Sequence, residues 1–218
     1  MKVKEKGSGI PSGASRRSQA ERSQATRDAL IAAARRLFAK RGYAEVGTEE
    51  IVRSAGLTRG ALYHHFGGKR ELLAAVYEQI EQELAERIAS GALGATDPLE
   101  AMRAGTEMFL DACLEPEVQR IVLLDAPAVL GWERWRAIAA EHGLGLIEAT
   151  LQAAMEAGEI VEGPVKPLAH VLMGAFDEAA MVVARAEDPV ATRAEIAATL
   201  DVLLEGLRPR GRQAVGRR

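Results

Sequence analysis

The sequence predicts an all-α protein, and three observations support this fold class. Alanine and leucine are abundant, whereas aromatic residues make up only 4% of the 218 residues. Apolar residues recur at the three- and four-residue spacing that is typical of amphipathic helices. No segment alternates Val, Ile or Thr with polar residues, as a half-buried strand would. A chain of this length can bury a substantial core in one or two domains.

The first predicted helix runs from Gln24 to Arg41 and ends at Gly42. One of its faces is apolar, and the others carry basic residues. The preceding residues 1–23 are rich in Gly, Ser, Lys and Arg and have no apolar period, which predicts a disordered basic arm. Such an arm either follows DNA phosphates or is only a soluble tail, and the sequence does not decide between the two.

Two short helices follow, and their boundary signals are specific. Thr48 is the predicted N-cap of the first helix, and Gly56 ends it in a left-handed conformation. Thr58 caps the second helix, in which Leu62 and Phe66 point inward. The outward face of this second helix then holds small or hydrogen-bonding residues, namely Thr58, Arg59, Gly60, Tyr63 and His64. Such a face suits a helix that enters the DNA major groove.

A longer helix is predicted from Lys69 to about Ser90, after two glycines. Its roughly 22 residues would span about 33 Å, enough to link a helix-turn-helix domain at 24–68 to a helical domain at 69–207. Further helices are predicted at 97–114, 116–124, 132–157, 167–187 and 189–207, with a bend at Pro127 and an interruption at Gly143 and Gly145. The arginine-rich residues 208–218 predict a disordered basic tail.

Charge is divided unevenly along the chain, although the formal net charge is only -3. Residues 1–70 hold 15 Lys or Arg and 6 Asp or Glu, whereas residues 71–207 hold 8 and 25. The last eleven residues contain five Arg and no acid. A basic first third beside an acidic remainder predicts that only the helix-turn-helix domain contacts a polyanion.

The composition also indicates where the protein works. A single cysteine, Cys113, excludes an internal disulfide and fits a reducing cytoplasm. No apolar run is expected to reach the roughly 20 residues that span a bilayer. The N-terminal charges have no apolar segment behind them, so they do not form a secretory signal. We therefore expect a cytoplasmic protein without a membrane partner.

The stretch Tyr63-His64-His65-Phe66, followed by Gly-Gly-Lys-Arg-Glu-Leu-Leu, resembles the N-terminal domain of the tetracycline-repressor (TetR) family of bacterial transcription regulators. The resemblance covers roughly Thr26 to Tyr77. It implies a homodimer that binds a palindromic operator in double-stranded DNA. The residues that match backbone-contacting positions of the family are Thr48, Tyr63, His64 and Lys69. Thr58, Arg59 and Gly60, at the exposed start of the second helix, are the predicted base readers.

The second domain is predicted to enclose an effector pocket, because the resemblance implies one and the helices supply suitable residues. Aromatic candidates for its lining are Phe109, Trp132, Trp135 and Phe176, with Met102 and Met173 as an adaptable wall and Asp177 as a polar anchor. Aromatic residues at helical spacing are also common core residues, so that alternative stays open. His142 and His170 are isolated, and we expect neither a metal site nor a cofactor.

The last two helices, at 164–207, have more apolar surface than one compact domain readily covers. In the family that the chain resembles, the corresponding helices form a four-helix dimer interface, which implies that role here. The candidate interface residues are Leu168, Val171, Leu172, Val182, Ile196, Leu200, Leu203 and Leu204.

The resemblance implies a repressor that a small hydrophobic or aromatic effector releases from its operator, through movement of the helix at 69–90. A first alternative is a DNA-binding dimer whose C-terminal domain docks a protein partner. A helical enzyme is disfavoured, because Gly143-x-Gly145 lacks the strand and the third glycine of a dinucleotide fingerprint and no nucleophile setting is recognisable. The sequence identifies neither the effector, the operator nor the regulated genes.

Overall fold

The computed structural model describes residues 18–209, apart from the side chain of Leu93, and the regular structure in this range is entirely helical. This agrees with the all-α prediction. The α-helices are α1 (Gln19–Arg41), α2 (Thr48–Ala55), α3 (Arg59–Phe66), α4 (Lys69–Gly91), α5 (Pro98–Ala112), α6 (Ala126–Leu130), α7 (Trp132–Glu156), α8 (Val165–Arg185) and α9 (Pro189–Glu205). A 3-10 turn, Ala92–Gly94, follows α4, and a π-helix, Val118–Asp125, precedes α6.

Helix α1 begins five residues earlier than predicted, because a capping box extends it. The Ser18 hydroxyl accepts a hydrogen bond from the Glu21 backbone N–H, and the Glu21 carboxylate accepts one from the Ser18 backbone N–H. The prediction of disorder is therefore wrong for residues 18–23. The rest of the predicted arm, 1–17, and the tail from 210 onward lie outside the described residues.

The helix-turn-helix boundaries follow the predicted pattern with one correction. Gly47, not Thr48, is the N-cap of α2, and Thr48 is its first helical residue without a side-chain cap bond. Gly56 has a φ of 67° and ends α2 as predicted. The Thr58 hydroxyl caps α3 by accepting from the Ala61 backbone N–H at 3.3 Å. Local chemistry thus sets both ends of the turn.

The core of the first three helices continues without a break into the second domain. Leu30, Phe38, Ile51 and Leu62 are fully buried together, and they share one apolar cluster with Leu72 and its neighbours in α4. The same cluster reaches the π-helix, α7 and the end of α8. The helix-turn-helix domain is therefore packed on the second domain rather than connected to it only by α4.

The second domain is built around α7, which packs on α4, α5 and α8. Helix α9 covers α5 and α8 from the outside. A second apolar cluster fills the far end of the domain and contains Leu99, Met102, Leu151, Ile160, Ala169, Leu172 and Leu204. Helix α8 is the one described helix that is long and apolar enough to cross a bilayer, contrary to the sequence-based expectation. Part of the most apolar stretch of α8 is buried inside the protein, as in a core helix.

The region around Pro127 differs from its prediction. No bend separates two helices there, because helical structure continues from Pro116 to Leu130 and widens to a π-helix in its middle. The Ala126 backbone N–H donates to the carbonyl of Ile121, five residues back. Pro127 has no N–H and would clash with the carbonyl four residues before it, so a wider turn accommodates it.

Helix α7 is also more regular than predicted. It runs without interruption through Gly143 and Gly145, so the predicted break there is wrong. Space is open beside both glycines, and neither is required by close contact with another helix. The apolar packing of α7 against three neighbours offsets the modest cost of two glycines in a helix.

Candidate DNA-binding surface and effector cavity

The predicted base-reading residues lie together at the exposed N-terminal end of α3. Thr58, Arg59 and Gly60 are all exposed, and Tyr63 and His64 continue the same outer surface one turn later. A Cβ on Gly60 would meet the Thr58 hydroxyl at an ordinary contact distance of 3.8 Å, so close packing does not require glycine there. Leu62 and Phe66 point into the core, as predicted.

The Arg59 guanidinium is positioned by contacts within the protein. It lies over the Tyr63 ring, 5.4 Å from the centroid, and donates weakly to the Tyr63 hydroxyl at 3.4 Å. It also pairs with Glu49 in α2 at 3.3 Å. The hydrogen bond with Tyr63 raises the pKa of Arg59, which therefore stays charged. Both partners are exposed and weakly bound, so a guanine or phosphate can replace Glu49 at little cost.

Lys69 is placed differently from the prediction. Its Nζ atom donates to the backbone carbonyls of Tyr43 at 2.6 Å and Val46 at 2.7 Å, and it lies 4.0 Å from the centroid of the Tyr43 ring. Burial lowers the pKa of this ammonium. Two of its three donors are occupied inside the protein. Lys69 thus ties the start of α4 to the connection between α1 and α2, instead of presenting a free cation to DNA.

Polar contacts also join the helix-turn-helix domain to the π-helix region. Asp125 accepts from the Tyr43 backbone N–H at 2.7 Å. At the other end of the π-helix, Arg35 of α1 donates twice to Glu117, at 2.9 and 2.8 Å, and once to Glu83 of α4 at 2.8 Å. These hydrogen bonds raise the pKa of Arg35, so the charge persists. Both ends of the π-helix are therefore attached to the DNA-binding domain.

A cavity of about 130 Å³ lies between α4, α5, the π-helix, α7 and α8. Six of the seven predicted pocket residues line it: Met102, Phe109, Trp135, Met173, Phe176 and Asp177. Trp132 does not, and this part of the prediction is wrong. Its side chain is 53% exposed and stacks on the outer side of Trp135, 5.0 Å between ring centroids. As the first residue of α7, it lies beyond the helices that surround the cavity.

Trp135, in the cavity wall, forms hydrogen bonds with both the π-helix and α4. Its indole N–H donates to the carbonyl of Val122 in the π-helix at 2.9 Å, and its own carbonyl accepts from the Tyr77 hydroxyl at 3.1 Å. Both groups are buried and fully paired, as buried polar groups usually are. The indole therefore has a defined position between the π-helix and α4.

Asp177 is buried and pairs with Arg136 of α7. Burial raises the pKa of this carboxyl to about 6, and Arg136 opposes the shift. The sequence reasoning identified Asp177 but missed a second acid in the same wall, Glu81 of α4. Burial raises the pKa of Glu81 to about 7. Glu81 was detectable as the acid at helical spacing from Tyr77, Leu84 and Ile88 along an apolar seam.

The predicted dimer residues divide into buried, partly buried and exposed groups. Leu172, Leu200 and Leu204 are buried within their own chain and are not available to a partner, so their assignment was wrong. Leu168 and Ile196 are partly buried. The exposed group consists of Val171, Val182 and Leu203, and the neighbouring Val202, which the sequence analysis did not name, is exposed as well. The apolar positions of α8 and α9 occupy two faces, and sequence periodicity did not separate them.

No group of three or more His, Cys, Asp or Glu side chains that could hold a metal ion occurs in residues 18–209.

An exposed, capped second helix on a three-helix unit, followed by a helical domain with an internal cavity, defines the class of helix-turn-helix transcription regulators. Residues 30–76 match the family described as bacterial regulatory proteins, tetR family. Residues 99–207 match the tetracyclin repressor-like C-terminal domain. The chain belongs to the TetR family.

Individual relatives agree with this assignment. The crystal structure of a TetR-family transcriptional regulator from Pectobacterium atrosepticum has a TM-score of 0.80 and 39% sequence identity, over 89% of this chain and 99% of that chain. The Tn10 TetC protein of Escherichia coli is 27% identical over 158 residues, which are 72% of this chain and 80% of that protein. The regulator CymR of Pseudomonas putida is 43% identical over 72 residues, or 33% of this chain and 36% of that regulator.

Proposed function

We propose that this transcription regulator is a repressor that binds a palindromic operator as a homodimer and releases it when a small apolar effector fills the cavity. One observation carries the proposal: α4 belongs to both sites. Its first residue, Lys69, holds the α1–α2 connection, and about three to five turns later Glu81, Leu84 and Ile88 line the cavity. A ligand that displaces this wall therefore acts on the helix that positions the DNA-binding domain.

The π-helix gives a second route between the two sites. Val118 and Val122 line the cavity, and Asp125 holds the backbone of Tyr43. A π-helix contains wider turns than an α-helix and is often found at functional positions. We infer that an effector stabilises one of two arrangements of α4 and the π-helix, and that only the other arrangement spaces the two DNA-binding domains for adjacent operator half-sites.

The homodimer is supported by the exposed apolar surface of the two C-terminal helices. Val171 of α8 is 68% exposed and Val202 of α9 is 71% exposed, and Val182 and Leu203 on the same two helices are also exposed. An apolar patch of this kind commonly marks an interaction surface. Val171→Asp and Val202→Asp should give a monomer in sedimentation velocity, whereas Val161→Asp, at an exposed valine in the loop before α8, should leave the dimer intact. A Val171→Asp variant that stays dimeric would contradict this interface.

The proposed function is tested by selecting genomic DNA fragments with the purified protein and measuring operator binding by fluorescence anisotropy. We expect a palindromic site, and we expect lipophilic compounds that raise the melting temperature to weaken operator binding. In a reporter strain, deletion of the gene should raise expression from the bound promoter. Compounds that bind without changing operator affinity would refute effector control, and lower expression after deletion would indicate an activator.

A further inference from the structure

We infer that the effector is a compact apolar cation whose ammonium group is bound by the carboxylate of Glu81. This inference rests on the proposed function, because it specifies the chemistry of the molecule that fills the cavity. Its basis is the combination of an apolar wall, an acid that has only the Tyr77 hydroxyl as a polar neighbour on its own helix, and the absence of a basic group facing that acid.

The wall of the cavity is apolar except at a few positions. Large apolar side chains line it from four helices: Leu84 and Ile88 of α4, Phe109 of α5, Trp135 of α7 and Met173 of α8. Thr106 and Thr150 also reach it, but their hydroxyls already donate to carbonyls in their own helices, at 2.8 and 2.9 Å. They retain the capacity to accept hydrogen bonds only. A ligand must therefore be largely apolar.

Glu81 is the polar group in this wall that lacks a partner of opposite charge. Within residues 18–209, no Lys, Arg or His lines the cavity, and Glu81 takes part in none of the salt bridges. The titratable groups that face it are Tyr77, one turn earlier on the same helix, Cys113 at the C-terminal cap of α5, and Asp177 of α8. None of these is a cation, and the positive charge of Arg136 is directed to Asp177.

An ionised carboxylate in apolar surroundings is costly unless it is paired. Burial among apolar groups therefore favours the protonated form of Glu81 and raises its pKa to about 7. A bound ammonium group removes this cost by supplying the missing charge and a charge-assisted hydrogen bond. The aromatic rings of Phe109, Trp135 and Phe176 add a favourable environment for a cation. An anionic ligand gains none of these interactions and is repelled.

The size of the cavity suits a ligand of about one ring. Its volume of about 130 Å³ is close to that of a dry cavity of roughly 150 Å³ that binds benzene. Benzylamine, protonated at neutral pH, is therefore a suitable probe. Benzyl alcohol and benzoate have nearly the same shape and differ in charge, so they serve as neutral and anionic counterparts.

The experiment is isothermal titration of the full chain with these three compounds at pH 8, together with operator anisotropy. We expect benzylamine to bind roughly tenfold or more tightly than benzyl alcohol, since a hydrogen bond to a charged group contributes about 1.5–3 kcal/mol. Benzoate should bind most weakly. Glu81→Gln should remove the preference for the amine while keeping the binding of the alcohol. Glu78→Gln, an exposed glutamate on the same helix, is the matched control and should behave as the wild type.

The inference is overturned if the alcohol or benzoate binds as tightly as the amine, if none of the three binds, or if Glu81→Gln retains the amine preference. Operator release separates this result from the proposed function. A neutral or anionic compound that releases DNA would leave the repressor proposal standing and refute only the cation. Tight amine binding without any change in operator affinity would support the cation site and refute effector control.

Discussion

The carboxylate of Asp125 accepts a hydrogen bond from the backbone N–H of Tyr43 at 2.7 Å, and this bond joins the end of the π-helix to the DNA-binding domain. Four and eight residues earlier in the chain, Ile121 and Glu117 belong to the same segment, which packs against α1 and α4. Tyr43 also offers its carbonyl to Lys69. The connection between α1 and α2 is thus held from the π-helix and from α4 at a single residue.

Asp125→Ala should loosen this connection. The Tyr43 N–H loses its partner in a partly buried position, which costs about 1–3 kcal/mol, so the melting temperature should fall. Operator affinity should become less sensitive to any compound that fills the cavity. Thermal denaturation and anisotropy measure both effects, with Glu162→Ala, at an exposed loop position, as the control. An unchanged melting temperature would show that the bond contributes nothing.

Lys69→Ala is expected to act mainly through stability. The substitution leaves the carbonyls of Tyr43 and Val46 without their charged donor, and each such bond contributes roughly 1.5–3 kcal/mol. The melting temperature should fall clearly, and DNA binding should weaken for all sequences because the domain is less ordered. Lys166→Ala, an exposed lysine on α8, should change neither property. If Lys69→Ala keeps wild-type stability but binds DNA more weakly, Lys69 instead contacts a DNA phosphate directly.

Arg59→Ala should relax base preference with little loss of stability, since the side chain is exposed and its contacts with Glu49 and Tyr63 are weak. A bidentate arginine contact with guanine contributes about 1–3 kcal/mol of discrimination. Affinity for the selected operator should therefore approach affinity for scrambled DNA. Competition binding measures the ratio, and Arg208→Ala, at an exposed position after α9, is the control. Equal losses on both DNAs would assign Arg59 to the backbone instead.

The raised pKa of Glu81 should make the stability of the protein depend on pH. Its pKa is raised from an ordinary value of 4.5 to about 7, so the folded protein binds this proton more tightly than the unfolded chain does. Stability should therefore fall as pH rises from about 4.5 to 7, by roughly 3 kcal/mol from this group. Asp177 contributes in the same direction up to about pH 6.

Urea denaturation of the wild type and Glu81→Gln between pH 5 and 8 separates the two acids. The unfolding free energy of the wild type should fall relative to that of Glu81→Gln as the pH rises across this range. If the two plots of unfolding free energy against pH are parallel, the Glu81 carboxyl is exposed to solvent and its pKa is not raised. Affinity for benzylamine should rise over the same interval, because the carboxylate must be ionised to bind the ammonium group.

Much of the fold could be predicted because its signals are local. The cap at Thr58, the left-handed Gly56 and the four-residue spacing of Leu62 and Phe66 each involve one helical turn, and all three are confirmed. The same local pattern leaves Arg59 and Gly60 on the outer surface. By contrast, the capping box at Ser18 was overlooked because the exposed first turns of α1 have no apolar period.

The sequence by itself determined the helical class, the helix-turn-helix and the outward face of α3, since backbone propensity, caps and periodicity act within a few residues. Only the tertiary structure decided which residues meet across helices. In the folded protein, Lys69 donates to two carbonyls and Trp132 lies outside the cavity. Glu81 lies in the cavity wall, and Leu172, Leu200 and Leu204 are buried. The physical reason is that a helix with two apolar faces, or a long polar side chain at a helix start, has several partners within reach. Packing against particular neighbouring helices selects among them.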